Sequence, residues 1–425
     1  MSVSRRTFQA LPTEVIAEVL GYCSSPELVV ACRTSKRISS IATRHLYSNI
    51  LLRGITSAVW CFRTLASHPQ CALLVKKLCW EHTPARTTSA FPALCKLIAR
   101  ALRWTANLQV LDIPHPFPTL SALIGTLHFP RLTTSGLVLD PNSLDFVRTH
   151  AGTLSRIGLY DHHNPAHDGA ISPETSRALE GVRFPQLRSL LARAHLVPHF
   201  AARADTIESA AIPWSPARSP GSQDPSSVLA SLADHPVAQI SHRMADFDVD
   251  VTRGTAEHLG ERLQLLEIQL TSIRPSDIQA MYESLMHVLP SFKCLKEVHI
   301  WHASRRLANH NTVWRALDEE LSILTRWKRH CPTLATASLG SRLVRWTYCA
   351  EAVAWYPNLV RVAAERDEHQ VQMVVVWLIF AVANGLLPNA GRCLQDLRKI
   401  YFSPQRKNYP SLRGHGLERF MGVAA

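Results

Sequence analysis

LQLLEI, residues 263–268, and LKEVHI, residues 295–300, share one pattern: a leucine, two positions, then two apolar residues one position apart. Alternation of this kind marks a short strand with one face buried. Outward from these two, LQVLDI begins at Leu108, LSRIGL at Leu154 and LATASL at Leu334, with a weaker copy, LVRVAA, at Leu359. LTTSGLVL at Leu132 fits with two extra residues, and LRSLLA at Leu187 fits in its first half. Several copies follow a similar lead-in, FPRL, FPQL, CPTL or YPNL, in which a turn residue precedes the leucine. Helical stretches lie between the strands, such as Ser276 to Leu289 and Thr312 to Trp327. Each such unit buries its leucines only by stacking on the next. The expectation is an α/β fold: a curved solenoid with a parallel sheet inside and helices outside.

Strand followed by helix, in a period of about 20 to 29 residues, resembles the leucine-rich repeat. The starting leucines here stand roughly 22 to 39 residues apart, with one longer gap. The Asn or Cys that usually follows the strand is missing. The resemblance therefore implies an irregular, distorted array.

Toward the N-terminus the period changes. Leu11, Val15, Ile16, Val19, Leu20 and Cys23 form one stripe at helical spacing. Pro12 suits the first helical position, Glu14 the positive end of the helix dipole, and Gly21 the end. Ser25-Pro26-Glu27 reads as the start of a second helix, whose apolar face holds Leu28, Val29, Ala31 and Cys32. A third runs from about Ser35 to Tyr47, with Ile38, Ile41, Ala42, His45 and Leu46 at i, i+3, i+4, i+7 and i+8. Helices of about ten residues are marginal alone, and a unit below about 40 residues usually needs a metal, disulfides or a partner. Cover must come from the rest of the chain or from another protein.

LPTEVIAEVLGYCSSPELVVACRTSKRISSIATRHLYSNILL resembles an F-box. Leu11, Pro12, Glu14, Val15, Val19, Leu20, Glu27, Leu28, Leu46 and Tyr47 match the family pattern; Ile38 stands where many members have Trp. The resemblance implies a trihelical unit that binds the Skp-family adaptor of cullin-RING (SCF-type) ubiquitin ligases. Leu11, Pro12, Glu14, Val15, Ile16, Val19, Leu20, Leu28 and Val29 would form the adaptor-facing or supporting surface. An F-box followed by irregular leucine-rich repeats resembles a class of fungal F-box proteins, whose repeats are inferred to hold the ubiquitylation target. Such a protein is a non-catalytic receptor. Two alternatives stand beside it. The helices could be a cap on a leucine-rich scaffold without a ubiquitin role, or the protein could be membrane-attached through residues 371–387. The implied division is 1–50 trihelical, 51–104 connector and first repeat, 105–365 repeats, and 366–425 a hydrophobic element with a basic tail.

Residues 371–387, VQMVVVWLIFAVANGLL, lie in an uncharged stretch close to the roughly 20 residues a span needs. A buried terminal element gives the same pattern. Residues 212–227 hold four prolines and several serines and read as a surface loop. The run YDHHNPAHDG at 160–169 gathers imidazoles and carboxylates, but it reads as a solvated turn after a strand, and no metal or cofactor is expected.

Among 425 residues the net charge is +13. Such an excess favours acidic partners. Without a basic run or a basic-aromatic stripe, nucleic acid is not expected. The ten cysteines show no CxxC pair and read as free apolar thiols of a reducing compartment. No secretory leader is evident at the N-terminus, so the expected location is cytoplasmic or nuclear. No P-loop, GxGxxG after a strand, HExxH or GxSxG occurs.

Overall fold

The computed structural model describes residues 11–81, 92–113, 118–138, 141–160, 179–215, 223–302, 310–340 and 344–358, and, between 374 and 387, all but 375, 379 and 383. The chain forms two compact units, Met1–Thr206 and Ile207–Ala425.

The first unit opens with three helices, α1 (Thr13–Gly21), α2 (Ser25–Ala31) and α3 (Lys36–Ser48). Six strands follow: β1 (Asn49–Leu52), β2 (Lys77–Trp80), β3 (Val110–Ile113), β4 (Thr134–Val138), β5 (Arg156–Tyr160) and β6 (Ser189–Leu191). From β1 to β6 each pairs in parallel with the next in chain order. Parallel neighbours need a crossover, and the helices Ile55–Ser67, Pro92–Leu102, Pro118–Ile124 and Pro141–His150 supply it.

The leucines that stand just before the strands explain the regularity. Leu108, Leu132, Leu154 and Leu187 are completely buried, as are Leu263, Leu295 and Leu334 in the second unit. In the FPRL, FPQL and CPTL lead-ins, the leucine N–H donates to the carbonyl of the first residue: Leu132 to Phe129, Leu187 to Phe184, Leu334 to Cys331. Proline at the second position of such a turn has its φ already set. The turn aims the leucine inward and releases the chain into the strand.

Ser135 departs from this economy. On β4 its register partners are Leu111 and Ile157, it is buried, and its hydroxyl has no hydrogen-bond partner among the described residues. A buried, unpaired hydroxyl costs about 1–3 kcal/mol. Ser135→Ala is therefore expected to stabilise the protein by about 1 kcal/mol, read as a rise in the urea midpoint.

In the second unit β7 (Ser209–Pro213), β8 (Gln239–Met244), β9 (Leu265–Leu270), β10 (Glu297–His302) and β11 (Thr336–Ser338) pair in parallel in the same sequential way. Their crossovers include the helices Val249–Leu259, Pro275–Val288 and His310–His330. Burial alternates strictly along β9 and β10, so one face of each strand packs under helices and the other is half-open.

The expected parallel array then changes. β12 (Trp346–Cys349) and β13 (Ala354–Pro357) are antiparallel. Of the YPNL lead-in, Tyr356 and Pro357 lie within β13; its leucine and the rest of LVRVAA fall outside the described residues. Tryptophans fix this end. From the helix His310–His330, Glu320 accepts from Trp346 Nε1 (2.9 Å), Asp318 from Trp377 Nε1 (2.9 Å) and the Leu324 carbonyl from Trp355 Nε1 (3.1 Å). The Trp346 and Trp377 rings meet edge to face at 5.5 Å. Within 371–387, Val374, Trp377, Leu378 and Ala381 are fully buried at i, i+3, i+4 and i+7, the signature of a helix packed along one side. Among the described residues no helix is long and apolar enough to cross a membrane. Nor is 212–227 wholly loop: Ile212 and Pro213 finish β7, and Asp224 caps a helix, Pro225–Ala230.

Candidate functional site

The trihelical unit holds the candidate residues, and its local chemistry explains each helix. α1 begins one residue later than the sequence suggests. Pro12 is its N-cap, and the Pro12 carbonyl accepts the first helical bond, from Ile16 N–H (3.2 Å). α2 is capped by Ser24 and not Ser25: Glu27 Oε2 accepts from both the Ser24 N–H (2.6 Å) and the Ser24 hydroxyl (2.7 Å). These bonds, the side-chain one first, hold the Glu27 carboxyl below its ordinary range. Ser35 caps α3 by accepting from Ile38 N–H at 3.3 Å. Arg37 clamps the first turn of α3 to the start of α1, donating to the Leu11 carbonyl (2.7 Å) and Thr13 Oγ1 (2.9 Å).

The helices close over a small core of Ile16, Leu20, Leu28, Ile41 and Ala42, flanked by Ala17, Cys23, Ala31, Cys32, Ile38 and Leu46. The candidate set therefore divides. Ile16, Leu20 and Leu28 are internal. Leu11, Pro12, Glu14, Val15, Val19 and Val29 are exposed. Two exposed apolar residues escaped the sequence reading: Tyr22, 85% exposed, and Val30, 64% exposed. Val15 and Val19 on α1, with Leu11 just before it and Tyr22 at its C-cap, stand at i+4, i+8, i and i+11, a second stripe beside the buried one. The helical period was its signal, but a single stripe had absorbed both.

Burial acts on the thiols that follow α3. Burial pushes the Cys61 thiol up to about 11 and raises Cys71 as well. Tyr47, half-buried beside them at the end of α3, is raised first by desolvation. All described cysteines are free. Among the described residues no group of His, Cys, Asp and Glu could hold a metal ion. The run at 160–169 lies outside them after Tyr160.

Elsewhere, polar groups serve structure. Ser226 Oγ lies 2.9 Å from His258 Nε2, a pairing between two helices without a carboxylate on the other ring nitrogen among the described residues. His242 is fully buried. Trp214 Nε1–H donates to its Nδ1 (3.0 Å), so its Nε2–H faces Thr255 Oγ1 (2.9 Å), whose own proton goes to the Val251 carbonyl (2.7 Å). A neutral ring uses both of its nitrogens in this chain, one as acceptor and one as donor. Burial lowers His242 to about 3 from 6.5. The folded state thus refuses a proton that the unfolded chain accepts. The stability this ring contributes is complete above about pH 6.5 and is lost as pH falls toward 3, by at most about 1.4 kcal/mol per unit. His242→Phe is expected to flatten the fall of the urea midpoint between pH 6.5 and 5 by about one proton, even though the variant is less stable at pH 7.5. An unchanged slope would reject this assignment.

Residues 8–47 match the F-box domain family. None of the curated proteins matches the chain. Three capped helices around one core, with a second apolar stripe left to solvent, occupy the matched span: the chain carries an F-box domain at residues 8–47.

Proposed function

We propose that this protein is a substrate receptor of an SCF-type ubiquitin ligase. Its F-box would dock on a Skp-family adaptor, and through it on a cullin-RING ligase; its repeats would hold a protein target. The observation that carries the reading is the apolar surface of Leu11, Val15, Val19, Tyr22, Val29 and Val30, exposed within the span that matches the F-box. Desolvating such a surface against a partner drives obligate association. Ile16, Leu20 and Leu28 act from inside, holding the helices in place. The protein itself performs no chemistry in this reading; it raises the concentration of a target lysine near the loaded conjugating enzyme.

The repeats are read as irregular leucine-rich repeats on the strength of the buried starting leucines and the sequential parallel strands. On the half-open face of the second unit, Arg243 Nε donates to Gln269 (3.1 Å), while Gln269 Nε2 (3.0 Å) and Trp301 Nε1 (2.6 Å) donate to Glu267. Side chains already locked to each other lose little entropy on binding, which suits a recognition surface.

The test is co-purification of the full chain with a Skp-family adaptor. Wild type is expected to retain adaptor, and a variant with Leu11 and Pro12 both replaced by Ala to lose most of it. A wild-type chain that captures no adaptor overturns the reading.

A further inference from the structure

The positive charge of this protein is not evenly spread. Between Met1 and Thr206 Lys and Arg exceed Asp and Glu by ten, out of the chain's +13. The topology gathers much of that excess on one edge. In a parallel sheet every strand starts on the same side, and the turn leading into each strand lies there too. β2 brings Lys76 and Lys77 to this edge, β3 brings Arg103, β4 Arg131, β5 Arg156 and β6 Arg183. All six side chains are exposed, and among the described residues none makes an ion pair or a side-chain hydrogen bond. Five successive strands thus each contribute at least one uncompensated cation. Among the described residues of the turns that lead into them, the only carboxylate is Glu180, at the β6 end.

Register fixes the spacing. Lys77, Val110, Thr134, Arg156 and Ser189 are successive register partners. With strands about 4.8 Å apart, Lys77 and Arg156 stand about 14 Å apart, and the row from β2 to β6 spans about 19 Å. An extended peptide running across the strand starts covers that distance with about six residues. The corresponding edge of the second unit is mixed: Glu208 leads into β7, Asp234 into β8, Glu261 and Arg262 into β9.

Between the cations lies an apolar element. Leu73 and Trp104 are each about half exposed, in the turns before β2 and β3, and Asn107 Nδ2 donates to the Leu73 carbonyl at 2.8 Å, tying those turns together. A single Trp beside a Leu offers one apolar notch; it does not offer the succession of aromatic platforms on which bases of a single strand stack. Arginine around an aromatic anchor is the composition of a protein interface.

We propose that the strand-start edge of the first unit binds an Asp/Glu-rich segment of a partner protein, with one apolar side chain of that segment seated beside Leu73 and Trp104. The row begins directly beside the F-box, since the carbonyl of Ser48, the last residue of α3, accepts from Lys76 N–H (3.0 Å). The bound segment therefore lies next to the adaptor-binding module. The binding does not depend on the adaptor reading, because none of the six cations falls in residues 8–47.

The probe is a fluorescein-labelled dodecapeptide of Glu and Asp with one central Leu, titrated with the full chain and followed by anisotropy in about 50 and 300 mM salt. Wild type is expected to bind, with an affinity that falls steeply with salt. Lys76→Glu, Lys77→Glu and Arg156→Glu together are expected to weaken binding at least ten-fold. Arg274→Glu, Lys293→Glu and Arg329→Glu together, an equal charge change in the second unit, are expected to change it less than two-fold. Equal losses in the two triple variants, or no binding by wild type, overturn the proposal. A single-stranded oligonucleotide of the same length that binds more tightly than the peptide overturns the choice of protein. Trp104→Ala separates a site from diffuse charge: it is expected to weaken binding about three-fold or more at either salt, and no effect rejects the apolar notch. Circular dichroism melting certifies each variant; if the glutamate triple unfolds, the glutamine triple replaces it and must still bind at least three-fold more weakly than wild type.

Discussion

Replacing Val19 and Val29 together by glutamate is expected to abolish capture of a Skp-family adaptor, at least a hundred-fold in affinity, with little change in stability. Both side chains belong to the exposed stripes of the F-box and not to its core. Exposed substitutions away from caps and cores usually shift stability within about 0.5 kcal/mol. In the bound state the two carboxylates would be buried without partners, which costs several kcal/mol, and each 1.4 kcal/mol is ten-fold in affinity. Leu20→Ala is the contrasting control. Leu20 is buried among Ile16, Leu28 and Ile41, so its truncation should cost about 2–5 kcal/mol and remove adaptor binding by unfolding the module. Adaptor affinity measured by calorimetry, together with the urea midpoint, separates the two. A Val19/Val29 glutamate variant that still binds at wild-type affinity would show that the adaptor uses another face.

Gly260→Ala is expected to be among the most damaging single-methyl additions in the protein, costing about 3 kcal/mol or more. Gly260 is the C-cap of the helix Val249–Leu259 and has ordinary helical φ, so its role is not conformational freedom. A Cβ there would stand 2.5 Å from the Ser291 carbonyl oxygen and 2.3 Å from that of Ala256. Both are backbone atoms and cannot swing aside. The Gly260 carbonyl also accepts from Lys293 N–H at 2.9 Å, so the segments leading into β9 and β10 meet backbone to backbone at this point. Relief requires moving the 3₁₀ turn Leu289–Ser291 or the helix end, and overpacking of that kind typically costs 1–3 kcal/mol, more where nothing yields. The measurement is the shift in urea midpoint; a loss below about 1 kcal/mol would mean that the turn relaxes freely. Gly340 is a different case. Its φ of +53° lies in the left-handed region, and a Cβ would also meet His302 Nε2 at 2.6 Å.

Local, periodic signals were legible in the sequence. The starting leucines, the turn prolines before them and the alternation of strands such as LQLLEI all report a side-chain pattern that one short segment must satisfy by itself. The three N-terminal helices were legible for the same reason, to within one residue at their starts, because capping side chains act on their own first turn. Strands with weaker patterns were not legible. Asn49–Leu52, Ser209–Pro213 and Gln239–Met244 owe their state to the neighbours they pair with.

By itself, then, the sequence determined the α/β class, the order of strand and helix, and the presence of an F-box at the N-terminal end. Tertiary structure alone decided which apolar residues of that F-box face inward and which face solvent, since adjacent helical stripes differ only in what packs on them. It alone turned the array antiparallel at β12 and β13, where Trp346, Trp355 and Trp377 hang from one helix, and it alone lined up Lys76, Lys77, Arg103, Arg131, Arg156 and Arg183. Those cations are scattered over a hundred residues of chain, and only a parallel sheet, which starts every strand on the same side, brings them into one row.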